Sequence, residues 1–206
     1  HEDFADFTIT SHKNAVNNPY AMFRRAITRQ DFLKARMIAD PINLMDSSPI
    51  ADGSAALILC PTDRAREFSD HPTRIRACTV GTDSLALHDR HDPLFLQAAY
   101  LSAQKAYATA RVLPKDISFF ELHDAFTIMA ALSLESAGFA SRGQGVRMAQ
   151  DGFIALDGRL PVATMGGLKG RGHPVGATGI YQVLEVAQQL SGRAGANQLS
   201  HARLGM

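Results

Sequence analysis

Six glycines fall within the fourteen residues Gly166-Gly167-Leu168-Lys169-Gly170-Arg171-Gly172-His173-Pro174-Val175-Gly176-Ala177-Thr178-Gly179. So little side chain lets other groups approach the backbone closely, between an apolar strand-like run at 160–165 and helical spacing at 180–190. One imidazole, His173, stands inside the run. Pro174 follows it, a residue type suited to the first position of a helix because it has no N–H to leave unpaired. His173 is therefore expected at a helix N-terminus, where the dipole disfavours the imidazolium and leaves a ring that can accept one proton and donate another. Two roles stay open on the residues alone: acid/base or oxyanion work, and simple capping of a tight connection. Gly-Lys-Ser/Thr spacing is absent, which excludes a P-loop, and so is the Gly-x-Gly-x-x-Gly spacing of a dinucleotide binder.

The rest of the composition narrows the partners. With 21 basic and 20 acidic residues in 206, the net charge is +1, and nothing in it favours nucleic acid or an anionic membrane surface. No apolar run reaches the length of a membrane span, and the N-terminus does not read as a signal peptide. Two cysteines, Cys60 and Cys78, make no disulfide framework and fit a reducing compartment. His88 and His91 lack a third ligand nearby, so no metal site is expected. His1 and Met206 both read as interior positions, and the chain is expected to be part of a longer one.

Helical spacing covers 4–18 and stops at Asn17-Asn18-Pro19, with His12 and Lys13 assigned to a solvated face. Thr28 with Asp31 forms a capping box for a short helix to Ala35, and Asp40-Pro41 ends that segment. Residues 55–60 read as a short buried strand and 74–82 as another. Ala99, Tyr100, Ala103, Ala106, Tyr107 and Ala110 mark a helix with a small-residue face, and 117–122 a strand, so the unit is strand, helix, strand with a right-handed crossover. His123 then stands just past a strand, as His173 does. In open α/β sheets that edge gathers ligands. Asp124 is expected to cap the following helix, which runs to Ala137 with Gly138 as its left-handed terminator. Residues 138–158 read as a polar connection, and 202–206 as the beginning of a strand.

Three strings in order carry a resemblance. Gly166-Gly167-Leu168 with Gly172-His173-Pro174-Val175-Gly176-Ala177-Thr178-Gly179 resembles the histidine loop of the thiolase superfamily. Glu121-Leu122-His123-Asp124-Ala125-Phe126 resembles its partner motif, in the sterol-carrier-protein, archaeal and bacterial version where histidine replaces asparagine. Pro49-Ile50-Ala51-Asp52-Gly53-Ser54-Ala55-Ala56 is similar to the segment closing the first half of that fold.

The resemblance implies an α/β thiolase fold, layered α-β-α-β-α and incomplete, its mixed sheet carrying helices on both faces. Residues 1–70 would end the first half and 71–206 form most of the second. It further implies an acyltransferase acting on acyl-CoA thioesters, in Claisen condensation or thiolytic cleavage, of the acetyl-CoA acetyltransferase kind. His173 and His123 would be the catalytic pair, and Ser48, Phe126, Gly167 and Gly172 would contact the substrate or coenzyme A. No covalently bound cofactor is implied; coenzyme A enters as the substrate thioester. The family's two catalytic cysteines have no counterpart among these residues, so this stretch alone is expected not to complete a cycle. A homodimer or dimer of dimers is implied, in the cytoplasm or in the peroxisome of a eukaryote. Two other readings share the fold: an aldolase cleaving a β-hydroxyacyl-CoA with a small partner protein, and a non-catalytic acyl-CoA-binding module.

Overall fold

The computed structural model describes residues 1–206. Helix α1 (Ala5–Ala15) follows a 3-10 turn at Glu2–Phe4, and α2 (Arg29–Leu33) opens with the Thr28/Asp31 capping box. A small antiparallel ribbon joins β1 (Met37–Ala39) to β2 (Ile42–Asn43). Then come α3 (Gln97–Ala110), α4 (Thr127–Ser136), α5 (Gly145–Gln150) and α6 (Thr178–Leu190). Gly138 terminates α4 at φ +82°. None of these helices is long and apolar enough to cross a membrane.

Three extended segments run parallel at the centre. Phe120 pairs with Val162 on one side, and Phe119 with Gly205 on the other. The Phe120 N–H donates to the Pro161 carbonyl (2.9 Å) and the Glu121 N–H to that of Met206 (2.7 Å). Side chains alternate along the middle segment as the pleat requires. Phe120 and Leu122 enter a core with Phe7 of α1, Tyr107 of α3, Leu134 of α4 and Ala149 of α5. Phe119 turns the other way, against Gly205 and Val186 of α6. Helices therefore cover both faces of the parallel segments, as in an α/β layered fold. One core draws on residues from both sides of position 70.

The glycine run sits against α1. A Cβ at Gly166 or Gly170 would meet that of Ala15 at 2.6 or 2.7 Å, so their bareness is taken up by helix packing. Asparagines complete the seam. Asn14 donates to the Val162 and Ala163 carbonyls (3.3 and 3.1 Å), Asn18 to Met165 (2.9 Å), and Asn197 to Asn14 and Thr164 (2.7 and 2.8 Å). These amides satisfy buried backbone carbonyls that no neighbouring strand pairs with.

Several local expectations change. Residues 55–60 pair with no strand and are largely exposed, Ile58 to 90% and Leu59 to 74%. Residues 74–82 also lack a ladder; they lie along α3, where the Thr79 hydroxyl donates to Ser102 O (2.8 Å). Cys60 and Cys78 are thus exposed free thiols rather than buried strand residues. The 138–158 connection contains α5. His12 is buried, stacked on Phe23 at 5.7 Å, and only Lys13 faces solvent.

Candidate active site

Two strand ends and one returning loop meet at a single edge. The His123 and His173 rings stand edge to face, centroids 5.1 Å apart and planes at 82°. His123 is exposed and His173 half-buried. The loop is the 47–51 segment, held at both ends. Ser47 pairs antiparallel with Phe126, Ile50 parallel with His173, and the Ser48 N–H donates to Ala125 O at 2.8 Å. Ser48 and the 44%-exposed Phe126 consequently border the edge where the imidazoles stand.

Gly167 and Gly172 do not. Both are buried, and the space beside each is filled by protein: Asp124 and Ala163 against Gly167, Ala51 and Met22 against Gly172. On the side where a Cβ would lie, their bareness is taken up by the chain's own packing.

His173 does not cap a helix. Gly167–Arg171 winds as one π-helical turn and Val175–Ala177 as a 3-10 turn, so α6 begins at Thr178, five residues after the histidine. That offset turns the Thr178 hydroxyl back to the ring, Oγ1 lying 2.7 Å from Nδ1. The hydroxyl can donate or accept, so it fixes ring orientation in either tautomer and leaves Nε2 free. The ring's pKa is lowered from its usual 6.5, by burial first, then by the neighbouring His123 and Arg171, with Asp124 opposing. The direction is the one expected from sequence, but burial first, then the neighbouring His123 and Arg171, produce it rather than a helix terminus.

Asp124 does not cap α4, which starts three residues later. It accepts from the Leu168 N–H (2.7 Å) and the Ser11 hydroxyl (3.2 Å), clamping the turn that carries His173 to the strand that carries His123. Lys169, 1% exposed, donates to the Asp46 carbonyl, and burial pulls its pKa down to about 8. Arg171 and Glu185 form a buried pair, Nη1 to Oε2 2.7 Å. Sequence reading missed Thr178, Lys169, Arg171 and Glu185. The available signal was two cations inside a glycine run that burial would strip of water.

A cavity of about 440 Å³ lies on the α6 side of the sheet, lined by Cys78, Val183, Val186 and Met206, with Glu121 reaching it. Neither histidine lines it.

The family description "Thiolase C-terminal domain-like" matches residues 79–206. The chain belongs to the thiolase family. It is 44% identical to the acetyl-CoA acetyltransferase of Methanothermobacter thermautotrophicus over 100% of its own length and 54% of that protein's. It is 30% identical to human sterol carrier protein 2, covering 38% of it. Among solved structures, the Ltp2-ChsH2(DUF35) aldolase superposes with a TM-score of 0.86 at 28% identity, over 97% of this thiolase chain and 52% of that one. A monomeric SCP2-thiolase-like protein from Mycobacterium smegmatis gives 0.68 at 19%, over 95% and 40%, a likeness of fold. This thiolase chain spans about half the length of the first two proteins it matches in sequence.

Proposed function

We propose that these residues form the imidazole half of an active site that acts on acyl-CoA thioesters, in thiolase-type acyl transfer. The observation that carries this reading is the pair of imidazoles 5.1 Å apart at one open edge, one of them held by Thr178 and kept neutral. Neutral His173 takes the proton of an attacking thiol and then donates through Nε2 to the thioester oxygen, where negative charge builds. His123 stands edge-on beside it and supplies the second donor, directly or through a water. Ser48 and Phe126 border the path by which a pantetheine arm would enter. Cys78 lines the cavity behind α6, which neither histidine borders, and Cys60 is an exposed thiol on an unpaired segment; in this reading the reacting thiol comes from outside these residues.

A second reading is favoured by the 0.86 superposition on an aldolase. The same pair would then polarise the thioester of a β-hydroxyacyl-CoA during carbon–carbon cleavage, without an attacking thiol and with a partner protein. The two readings part on one assay. In the full-length protein, coenzyme-A-dependent cleavage of a 3-ketoacyl-CoA marks acyl transfer, and coenzyme-A-independent cleavage of a β-hydroxyacyl-CoA marks the aldolase. Either way, H173A and H123A are each expected to lose roughly a hundredfold or more in kcat/KM. Turnover at the parent rate in H173A would refute both.

A further inference from the structure

Lys169 takes no part in the chemistry above, yet its ammonium is buried and its hydrogen bond goes to a backbone oxygen, the Asp46 carbonyl. Burying an ammonium is costly, and a charge-assisted bond recovers part of that cost. Asp46 is equally buried. Its Oδ1 accepts from the Thr127 hydroxyl at 2.6 Å and its Oδ2 from the Asn43 N–H at 2.8 Å, with His1 Nε2 at 2.6 Å. The residue thus ties the π-helical turn that precedes His173 to the first residue of α4, which follows His123.

From Asp46 the chain runs directly into the 47–51 segment, and that segment bonds to both histidine-bearing stretches. The Ser48 N–H donates to Ala125 O at 2.8 Å. The His173 N–H donates to Pro49 O at 3.2 Å, and the Ala51 N–H to His173 O at 3.4 Å. Successive residues of an extended chain aim their backbone groups to opposite sides, so residue 48 faces one stretch while 49 and 51 face the other. The segment is a strap lying between the two.

The two stretches begin as direct neighbours, with Phe120 paired to Val162. By Ala125 and His173 the strap stands between them, and it sets how far apart the backbones that carry the rings are held. After Ala51 the chain turns to solvent, Asp52, Gly53 and Ser54 all being exposed. Asp46 is therefore the strap's buried anchor.

We propose that Asp46 is a positioning residue: with Lys169 on its carbonyl and Thr127 on its carboxylate, it fixes the strap that sets the spacing of the His123 and His173 imidazoles. The catalytic consequence rests on the reading of these two rings as the working pair.

The test is an NMR measurement on full-length protein, deuterated except for its histidines, with the two rings assigned through H123Q and H173Q. The parent gives a cross-ring NOE, as centroids 5.1 Å apart require. T127V, which keeps the shape and removes the hydroxyl, and K169M, which removes the ammonium, each weaken that NOE about twofold or more and lower kcat about tenfold, as misplaced reacting groups do. T127S restores both. Loss of folded protein alone would lower kcat and total signal together and leave the NOE per folded molecule where it was. Should K169M fail to fold, the Thr127 variants decide. A parent-strength NOE in either folded variant overturns the proposal, and so does T127S matching T127V. The NOE needs no turnover, so the two readings fail separately. A weakened NOE in a protein inactive on both thioester substrates retains Asp46's role and removes the enzymatic one; a parent-strength NOE in the variants of an active enzyme does the reverse.

Discussion

Gly167→Ala tests whether the glycine run is bare for a ligand or for the protein itself. Gly167 sits at φ +54°, and a Cβ there would stand 2.6 and 2.8 Å from the Asp124 carboxylate oxygens and 2.8 Å from the Ala163 Cβ. Left-handed backbone costs a non-glycine residue about 1–2 kcal/mol. The carboxylate would have to retreat by most of an ångström from inside the core, and in doing so give up the Leu168 N–H, a charge-assisted bond worth about 1.5–3 kcal/mol. The expected loss is about 3–5 kcal/mol, a large share of the ~5–15 kcal/mol that holds a typical domain together. Gly176→Ala is the matched control. Nothing lies within 4 Å of its Cβ position and its φ is ordinary, so its stability should stay within about 0.5 kcal/mol of the parent. Urea unfolding of both variants in the full-length protein, followed by circular dichroism and extrapolated to water, gives the numbers. G167A within about 1 kcal/mol of the parent, with coenzyme A binding lost, would refute the packing argument and return this glycine to the ligand.

Two more outcomes follow from the same geometry. T178V removes the only side-chain partner of His173 Nδ1, and kcat/KM should fall about tenfold through loss of ring orientation, with T178S restoring most of it; parent-like turnover in T178V would show that packing alone fixes the ring. The Glu185 carboxyl, raised from 4.5 to about 8 on folding, keeps a proton that the unfolded chain releases, so its contribution to stability is full below about 4.5 and is lost as pH rises toward about 8. His12 and His173, both lowered from 6.5, act with the opposite sign and cost stability as pH falls below that value. The difference between parent and E185Q isolates the carboxyl: stability of the variant should decline less across that window, and parallel curves would mean that Glu185 does not hold the proton.

What the sequence disclosed depended on how local the cause was. A helix closes its hydrogen bonds within itself, so α1, α2, α3, α4 and α6 were legible from spacing and from caps such as Thr28/Asp31 and Gly138. Only the short α5, inside a polar stretch, escaped. A strand exists by virtue of another strand. Residues 117–122 found partners on both sides, whereas 55–60, no less apolar, and 74–82 found none among these residues and lie open. Apolarity alone could not distinguish the two cases.

The site follows the same division, with one twist. The meeting of His123 and His173 across fifty residues could be anticipated because each follows a strand, and parallel strands bring their ends to one edge. What controls His173 could not, because it comes from burial. Lys169, Arg171 and Glu185 are ordinary solvated charges when read in a string, and they act as they do because α1, α6 and the 40s loop close over them. Three of the six glycines allow that closure: with larger residues at 166, 167 and 170, α1 and Asp124 could not come near enough to exclude water from the cations. Backbone that admits its own neighbours so closely raises a dry wall behind the imidazole and leaves its other face to the open edge.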